Sequence, residues 1–185
     1  MVAQASGLRQ SPGSEGLFAL THSSLRVGYC VRMRIGLISD THGLLRPEAL
    51  AALHGCAAIV HGGDIGDAAI LERLRELAPV HAVRGNNDTQ PWALELSERL
   101  DLRFAGVRMH VVHDLKALGG DVPTACDVLV SGHSHRPGIQ RRDGVLLVNP
   151  GSAGRRRFSL PVSVGWLEID GDSVEAHIET LAIDR

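Results

Sequence analysis

Asp40-Thr41-His42, Gly63-Asp64, Gly85-Asn86-Asn87-Asp88, His113 and Gly132-His133-Ser134-His135 are the stretches of this chain that could do chemistry. Together they offer seven oxygen- and nitrogen-donor side chains: Asp40, His42, Asp64, Asn86, His113, His133 and His135. Taken singly, each has an ordinary explanation. Asp-x-His and Gly-Asp read as turns whose Asp accepts backbone hydrogen bonds, and Gly-Asn-Asn-Asp as a tight turn with positive φ. A lone His at a strand end reads as a hydrogen-bonded structural residue. The His133/His135 pair says more, because alternate residues of extended backbone point the same way and both imidazoles can converge on one centre. A solvated loop accounts for that pair equally well until the other motifs are counted. As a set, the seven suffice for two divalent ions. Two cations ~3.5–4 Å apart need a shared anionic ligand, and Asp64 is the natural bridge because its loop lies between those of Asp40 and Asn86. The donor mix is too hard for thiolate-seeking ions and too rich in imidazole for magnesium. It suits Mn²⁺ first, with Fe, Zn²⁺ and Ni²⁺ as alternatives.

Donors scattered over some 95 residues converge only if regular elements carry them to one edge. Ile35–Ser39, Ala57–His61 and Val80–Arg84 read as short buried strands, each running into a donor loop. Pro47–Leu53 suits a helix with proline in its first turn, and Asp67 can cap a second whose Ile70, Leu71, Leu74 and Leu77 keep helical spacing. This is the βαβ rhythm of a mostly parallel sheet, whose C-terminal strand edges are where ligands bind. The second half changes rhythm. Leu100–Ala105 and Val107–Val112 flank Gly106, Ile139–Arg142 and Val145–Val148 flank Asp143-Gly144, and Val162–Ile169 and Ser173–Ile178 flank Asp170-Gly171-Asp172, all as hairpins would. Asp127–Val130 is one more buried strand, ending at the His133 loop. The expectation is parallel units first, antiparallel hairpins after, in two packed sheets with helices outside.

Composition narrows the functional classes. The 185 residues suit one domain, and 44% hydrophobic against 22% charged residues can bury a core. Residues 1–33 are rich in Ser, Gly and Gln without apolar periodicity, and are expected to be a disordered tail, or an over-extended start with Met33 the initiator; residues 34–185 are the expected domain. No apolar run reaches the ~18 residues of a membrane span. A net charge of −2 gives no global pull toward nucleic acid, and 3% aromatics leave no stacking platform for single strands. Cys30, Cys56 and Cys126 read as reduced thiols, hence a cytoplasmic setting. Arg155-Arg156-Arg157 is a solvated basic turn or, through Arg157, a hold on the far end of a phosphorylated substrate.

The five motifs, in this order, resemble the calcineurin-like metallophosphoesterase superfamily. Their spacing, the short chain and Asn149-Pro150-Gly151-Ser152 resemble its YfcE-like phosphodiesterase branch. The resemblance runs from Arg34 to the C-terminus. It implies a four-layer α-β-β-α sandwich of two mixed sheets flanked by helices. It also implies that Asp40, His42, Asp64 and His135 hold one ion, that Asp64, Asn86, His113 and His133 hold the other, and that Asp88 steers a ligand from behind. Two positions depart from the pattern. Many superfamily members carry, after the motif Asn, a His thought to protonate the leaving group; here that position is Asn87, and the small-phosphodiesterase branch lacks the His as well. Where that branch commonly reads His-Gly-His, this chain reads His113-Asp114-Leu115.

The expected activity is therefore hydrolysis of a small phosphodiester by a hydroxide bridging two ions, with no protein nucleophile. No Gly-x-Ser-x-Gly or Walker-type loop offers another chemistry. The competing readings are a non-catalytic, metal-binding scaffold of the same fold, like the retromer subunit it resembles, and a phosphomonoesterase or nuclease using the same site. With few lid-like insertions the cleft is expected to be open, and a homo-oligomer could wall it.

Overall fold

The computed structural model describes residues 32–119, 123, 125–157, 159–171 and 173–183. The tail reading for residues 1–33 lies outside the described residues except at Arg32, which precedes the first strand, and Met33, which the structure places in that strand, opposite Ile169. The first two short apolar runs form strands buried on both faces, and the third is half-buried. β1 (Met33–Ile38) and β2 (Ala58–His61) run parallel, with Ile35 opposite Ala58 and Leu37 opposite Val60, and β3 (Val80–Ala82) continues the parallel set. Between them lie α1 (Pro47–Leu53), which starts on its proline, and α2 (Ala68–Arg75), capped by the Asp67 carboxylate accepting from the Ala69 amide at 2.9 Å.

A second run of strands follows: β4 (Arg99–Phe104), β5 (Val107–Val112), β6 (Val128–Val130), β7 (Gly138–Arg142) and β8 (Val145–Asn149). The chain then returns with β9 (Ser163–Asp170) and β10 (Ser173–Thr180). The first sheet has the order β10-β9-β1-β2-β3, so β1 is flanked by parallel β2 and by antiparallel β9, with Gly36 opposite Trp166. The second has the order β4-β5-β6-β8-β7. Both sheets are mixed, as expected. The rhythm of the second half is only partly as read: β4/β5 and β7/β8 are hairpins, but β5, β6 and β8 run parallel at the centre of their sheet. Alternating apolar residues reveal a strand's faces and not its neighbours, so the hairpin signals hid this parallel centre.

The core lies between the sheets. Ile35, Leu37, Leu167 and Ile169 of the first meet Val107, Met109, Val111 and Val130 of the second. Each such side chain contributes about 1.5–3 kcal/mol of apolar burial. α1 and α2 cover the outer face of the first sheet through Leu53, Ile70, Leu71 and Leu74. The outer layer of the second sheet is thinner. Among the described residues it is a 3₁₀ turn, Leu115–Leu118, whose Leu118 rests on Val112, Leu129 and Leu147. The expected sandwich is the observed one, with unequal helical layers.

Candidate metal centre

β1, β2 and β3 of one sheet and β5 and β6 of the other end at the same edge, and the loop beyond each supplies donors: Asp40 and His42, Asp64, Asn86, His113, and His133 and His135. The loops are knitted together by backbone: the Asp40 amide donates to the Gly63 carbonyl (3.0 Å), His42 to Asp64 (2.9 Å) and Gly132 to His113 (3.0 Å). All seven side chains that the sequence singled out come together.

Their donor atoms form two groups. In the first, His135 Nε2 lies 3.1 Å from Asp40 Oδ1 and 3.3 Å from His42 Nε2. In the second, Asn86 Oδ1 lies 3.1 Å from His113 Nε2 and 2.9 Å from His133 Nδ1, and these two imidazole nitrogens are 3.3 Å apart. Asp64 Oδ2 faces both groups, 3.8 Å from His42 Nε2 and 3.4 Å from His113 Nε2. The arrangement fits divalent ions on a further observation. Asp40 Oδ1 is buried and accepts no hydrogen bond, an expensive state for a carboxylate oxygen unless a cation meets it. His113 donates from Nδ1 to the Gly62 carbonyl at 2.7 Å, which turns its Nε2 lone pair toward Asn86 and Asp64.

The site's electrostatics favour an ionised Asp64 and a neutral His42. Burial pushes the Asp64 carboxyl up, but the His113 imidazole beside it and the hydrogen bonds from Asn87 outweigh it and hold Asp64 well below the usual carboxylate range. Burial lowers His42, opposed mainly by Asp64, so its imidazole is kept neutral and its lone pair free. Burial works the same way on His113, but the carboxylate of Asp64 beside it and the hydrogen bond to the Gly62 carbonyl outweigh it and raise its affinity for a proton.

Several residues support the site through contacts that the sequence did not show. Asn87, read only as a missing proton donor, grips Asp64 twice: its amide donates to Oδ1 (2.9 Å) and its Nδ2 to Oδ2 (2.6 Å). Asp88 accepts from the Gly66 and Gly85 amides, both at 2.9 Å, so it pins the backbone of the Asp64 and Asn86 loops. In the Asn149-Pro150-Gly151-Ser152 loop, Asn149 Nδ2 donates to the Gly132 carbonyl (2.7 Å) and Ser152 Oγ to that of Asp40 (2.8 Å). Buried His61 takes the Gly63 amide on Nδ1 (3.1 Å) and donates from Nε2 to Thr41 Oγ1 (3.0 Å), which donates to the Ile65 carbonyl (2.9 Å). Burial lowers its pKa to about 4 against the pull of Asp40.

Five of the donors hold backbone that L-residues avoid: φ is 54° at Asp40, 46° at His42, 54° at Asp64, 63° at His133 and 57° at His135. The only other non-glycine residues of this kind among those described are Ala105 and Asp143, at hairpin turns. Gly85 allows the loops to meet, since a Cβ there would lie 2.1 Å from the Asp64 amide nitrogen and 2.8 Å from its Cα.

Two cavities meet at His133. One, of about 170 Å³, is lined by His133, Ser134, His135, Arg157 and Leu160, and Arg157 Nη2 lies 3.4 Å from His42 Nε2. The other, of about 250 Å³, is lined by Arg84, Asn86, Glu98, Arg99, Asp114 and His133. Larger hollows of about 370 and 490 Å³ lie elsewhere, beside Gly106 and Gly144 and beside α1, away from the donors.

Residues 33–172 match the calcineurin-like phosphoesterase superfamily domain. The chain belongs to that superfamily. It is 36% identical over 161 residues to a probable metallophosphoesterase of Methanothermobacter thermautotrophicus, covering 79% of this chain and 91% of that one. It is 32% identical over 174 residues to the phosphodiesterase YfcE of Escherichia coli K12, covering 78% and 92%. Two solved structures share the fold: the vacuolar protein sorting 29 protein of Cryptosporidium parvum (TM-score 0.70, 20% identity, 82% and 92% covered) and an archaeal phosphodiesterase (TM-score 0.67, 22% identity, 80% and 100% covered). The chain is thus a metallophosphoesterase by family, with side chains placed to ligate metal. Among the described residues no helix is long and apolar enough to cross a membrane.

Proposed function

We propose that this chain is a phosphodiesterase that works with two divalent ions, Mn²⁺ foremost and Fe, Zn²⁺ or Ni²⁺ as alternatives, within a catalytic domain spanning residues 34–185. The observation that carries the reading is Asp64, whose Oδ2 faces one donor group at 3.8 Å and the other at 3.4 Å. Asp40, His42 and His135 complete one ion's ligands, and Asn86, His113 and His133 the other's. Bound there, the ions supply the Lewis-acid charge that activates water and neutralises a phosphoryl group. The chain's own residues do the rest. Asn87 and the backbone hold Asp64 ionised and correctly turned, and Arg157, beside His42, stands where it can donate to the oxygens of a phosphoryl group.

A diester is favoured over a monoester by three features. Two cavities flank His133, one for each ester arm. Asn87 spends both its amide and its side chain on Asp64, which leaves no imidazole to protonate a poor leaving group. Several relatives, YfcE of Escherichia coli among them, are named phosphodiesterases. The substrate is therefore a small diester with a good leaving group. The two buried, free thiols of Cys56 and Cys126 fit a reducing cytoplasm.

The test is elemental analysis of the purified chain paired with hydrolysis of bis(p-nitrophenyl) phosphate and p-nitrophenyl phosphate, with and without Mn²⁺. Two ions per chain and metal-dependent turnover favouring the diester are expected. Two ions with no hydrolysis of either ester would return the scaffold reading, and no uptake of divalent ions would sink the proposal.

A further inference from the structure

Asp114 occupies the departure from the His-Gly-His pattern, and its surroundings give it a task. His133 presents its two nitrogens to different partners: Nδ1 faces Asn86 Oδ1 (2.9 Å) and His113 Nε2 (3.3 Å), while Nε2, on the far edge of the ring, lies 3.7 Å from Asp114 Oδ2. The carboxylate is itself anchored, since Oδ1 accepts the Lys116 amide at 3.0 Å and caps the Leu115–Leu118 turn. That turn is tied down in its own right by Arg99, which donates to the Ala117 carbonyl at 2.7 Å. His113 has the matching arrangement, with its outer nitrogen held by the Gly62 carbonyl and its inner one facing the donors. The contrast is exposure: the His113 side chain is 6% exposed and locked by packing, whereas that of His133 is 40% exposed and has no such cage.

We infer that Asp114 is a positioning residue for the Asn86–His113–His133 group. By accepting a hydrogen bond from the His133 Nε2–H it fixes the ring and keeps the Nδ1 lone pair turned inward. A shift of about half an ångström brings 3.7 Å within hydrogen-bonding range. This rests on the two-ion reading and adds a claim that reading does not contain: the two ions differ in their dependence on Asp114.

The experiment is calorimetric titration of the metal-stripped full chain with Mn²⁺, alongside its melting temperature without metal. Asp114→Ser keeps a capping oxygen for Lys116 but is too short to reach His133, and Asp114→Asn keeps the shape while losing the charge. The wild type is expected to show two binding events. Both variants should weaken one of them by about 10–100-fold, leaving the other event and the metal-free melting temperature unchanged. Two unaltered affinities, or loss of both events together with a fall in melting temperature, would overturn the inference and leave Asp114 a turn cap. A wild-type titration without two events would remove the two-ion reading, and this inference with it, before any variant is compared.

Discussion

Backbone in the left-handed region occurs in two settings here, and the contrast between them is instructive. At the β4/β5 and β7/β8 turns, Ala105-Gly106 and Asp143-Gly144 take φ of 47° and 95°, and 52° and 84°, the pattern of two-residue hairpins whose twist matches their strands. These turns are exposed, and a Cβ at either glycine would meet nothing within 4 Å. At the candidate metal centre the same φ region is forced on Asp40, His42, Asp64, His133 and His135 by hydrogen bonds between loops of both sheets. Strain in the hairpins is local and inexpensive to relieve. Strain in the donor loops is held by the whole molecule, as at sites where geometry serves chemistry.

Four changes separate the donor loops from the hairpin turns. Gly85→Ala has the largest expected effect, since its Cβ would collide with the Asp64 backbone, which cannot yield. A loss of about 3 kcal/mol or more in urea unfolding is expected, whereas Gly106→Ala should cost far less. Next is acid. His61 is neutral in the fold, with its pKa near 4, but takes up a proton near 6.5 once unfolded. Between those values the unfolded chain binds more protons, so stability is complete above pH 6.5 and declines as pH falls toward 4, by up to about 3 kcal/mol. Amide exchange at 39–66, corrected for intrinsic rates, should rise over that window, and His61→Asn should flatten the dependence. Third, His42→Gly should abolish metal-dependent turnover while raising the metal-free melting point, because glycine releases about 1 kcal/mol of left-handed strain. A lower melting point would mean that the loop is not strained at His42. The smallest effect is Ala105→Gly, a gain of about 0.5–1 kcal/mol in thermal unfolding with activity unchanged.

Legibility in the sequence follows the same division. Asp143-Gly144 announces its hairpin because turn geometry is set by the two residues in it. The donors were legible because ligand chemistry restricts residue type, and their convergence followed from their place at strand ends. What was hidden is whatever depends on contacts between distant segments. Nothing local marks Asn87 as a double donor to Asp64, nor Asp88 as the acceptor of the Gly66 and Gly85 amides. The β6–β8 pairing was equally invisible, since the chain passes through β7 before β8 returns to lie beside β6. The 3₁₀ turns Pro91–Glu95 and Leu115–Leu118 are too short for periodicity to reveal them.

The position of β1 between β2 and β9 bears on how the molecule is made. Its partner across the Gly36–Trp166 pairing is encoded near the opposite end of the chain, and the whole second sheet is spelled out in between. A ribosome therefore releases Asp40 and Asp64 long before the strand that flanks β1 exists, and the newborn chain must wait with one side of β1 bare. Such distant pairing makes for slow closure. Any element that holds the early loops together in the interval, a captured ion included, would shelter that open edge from other nascent chains.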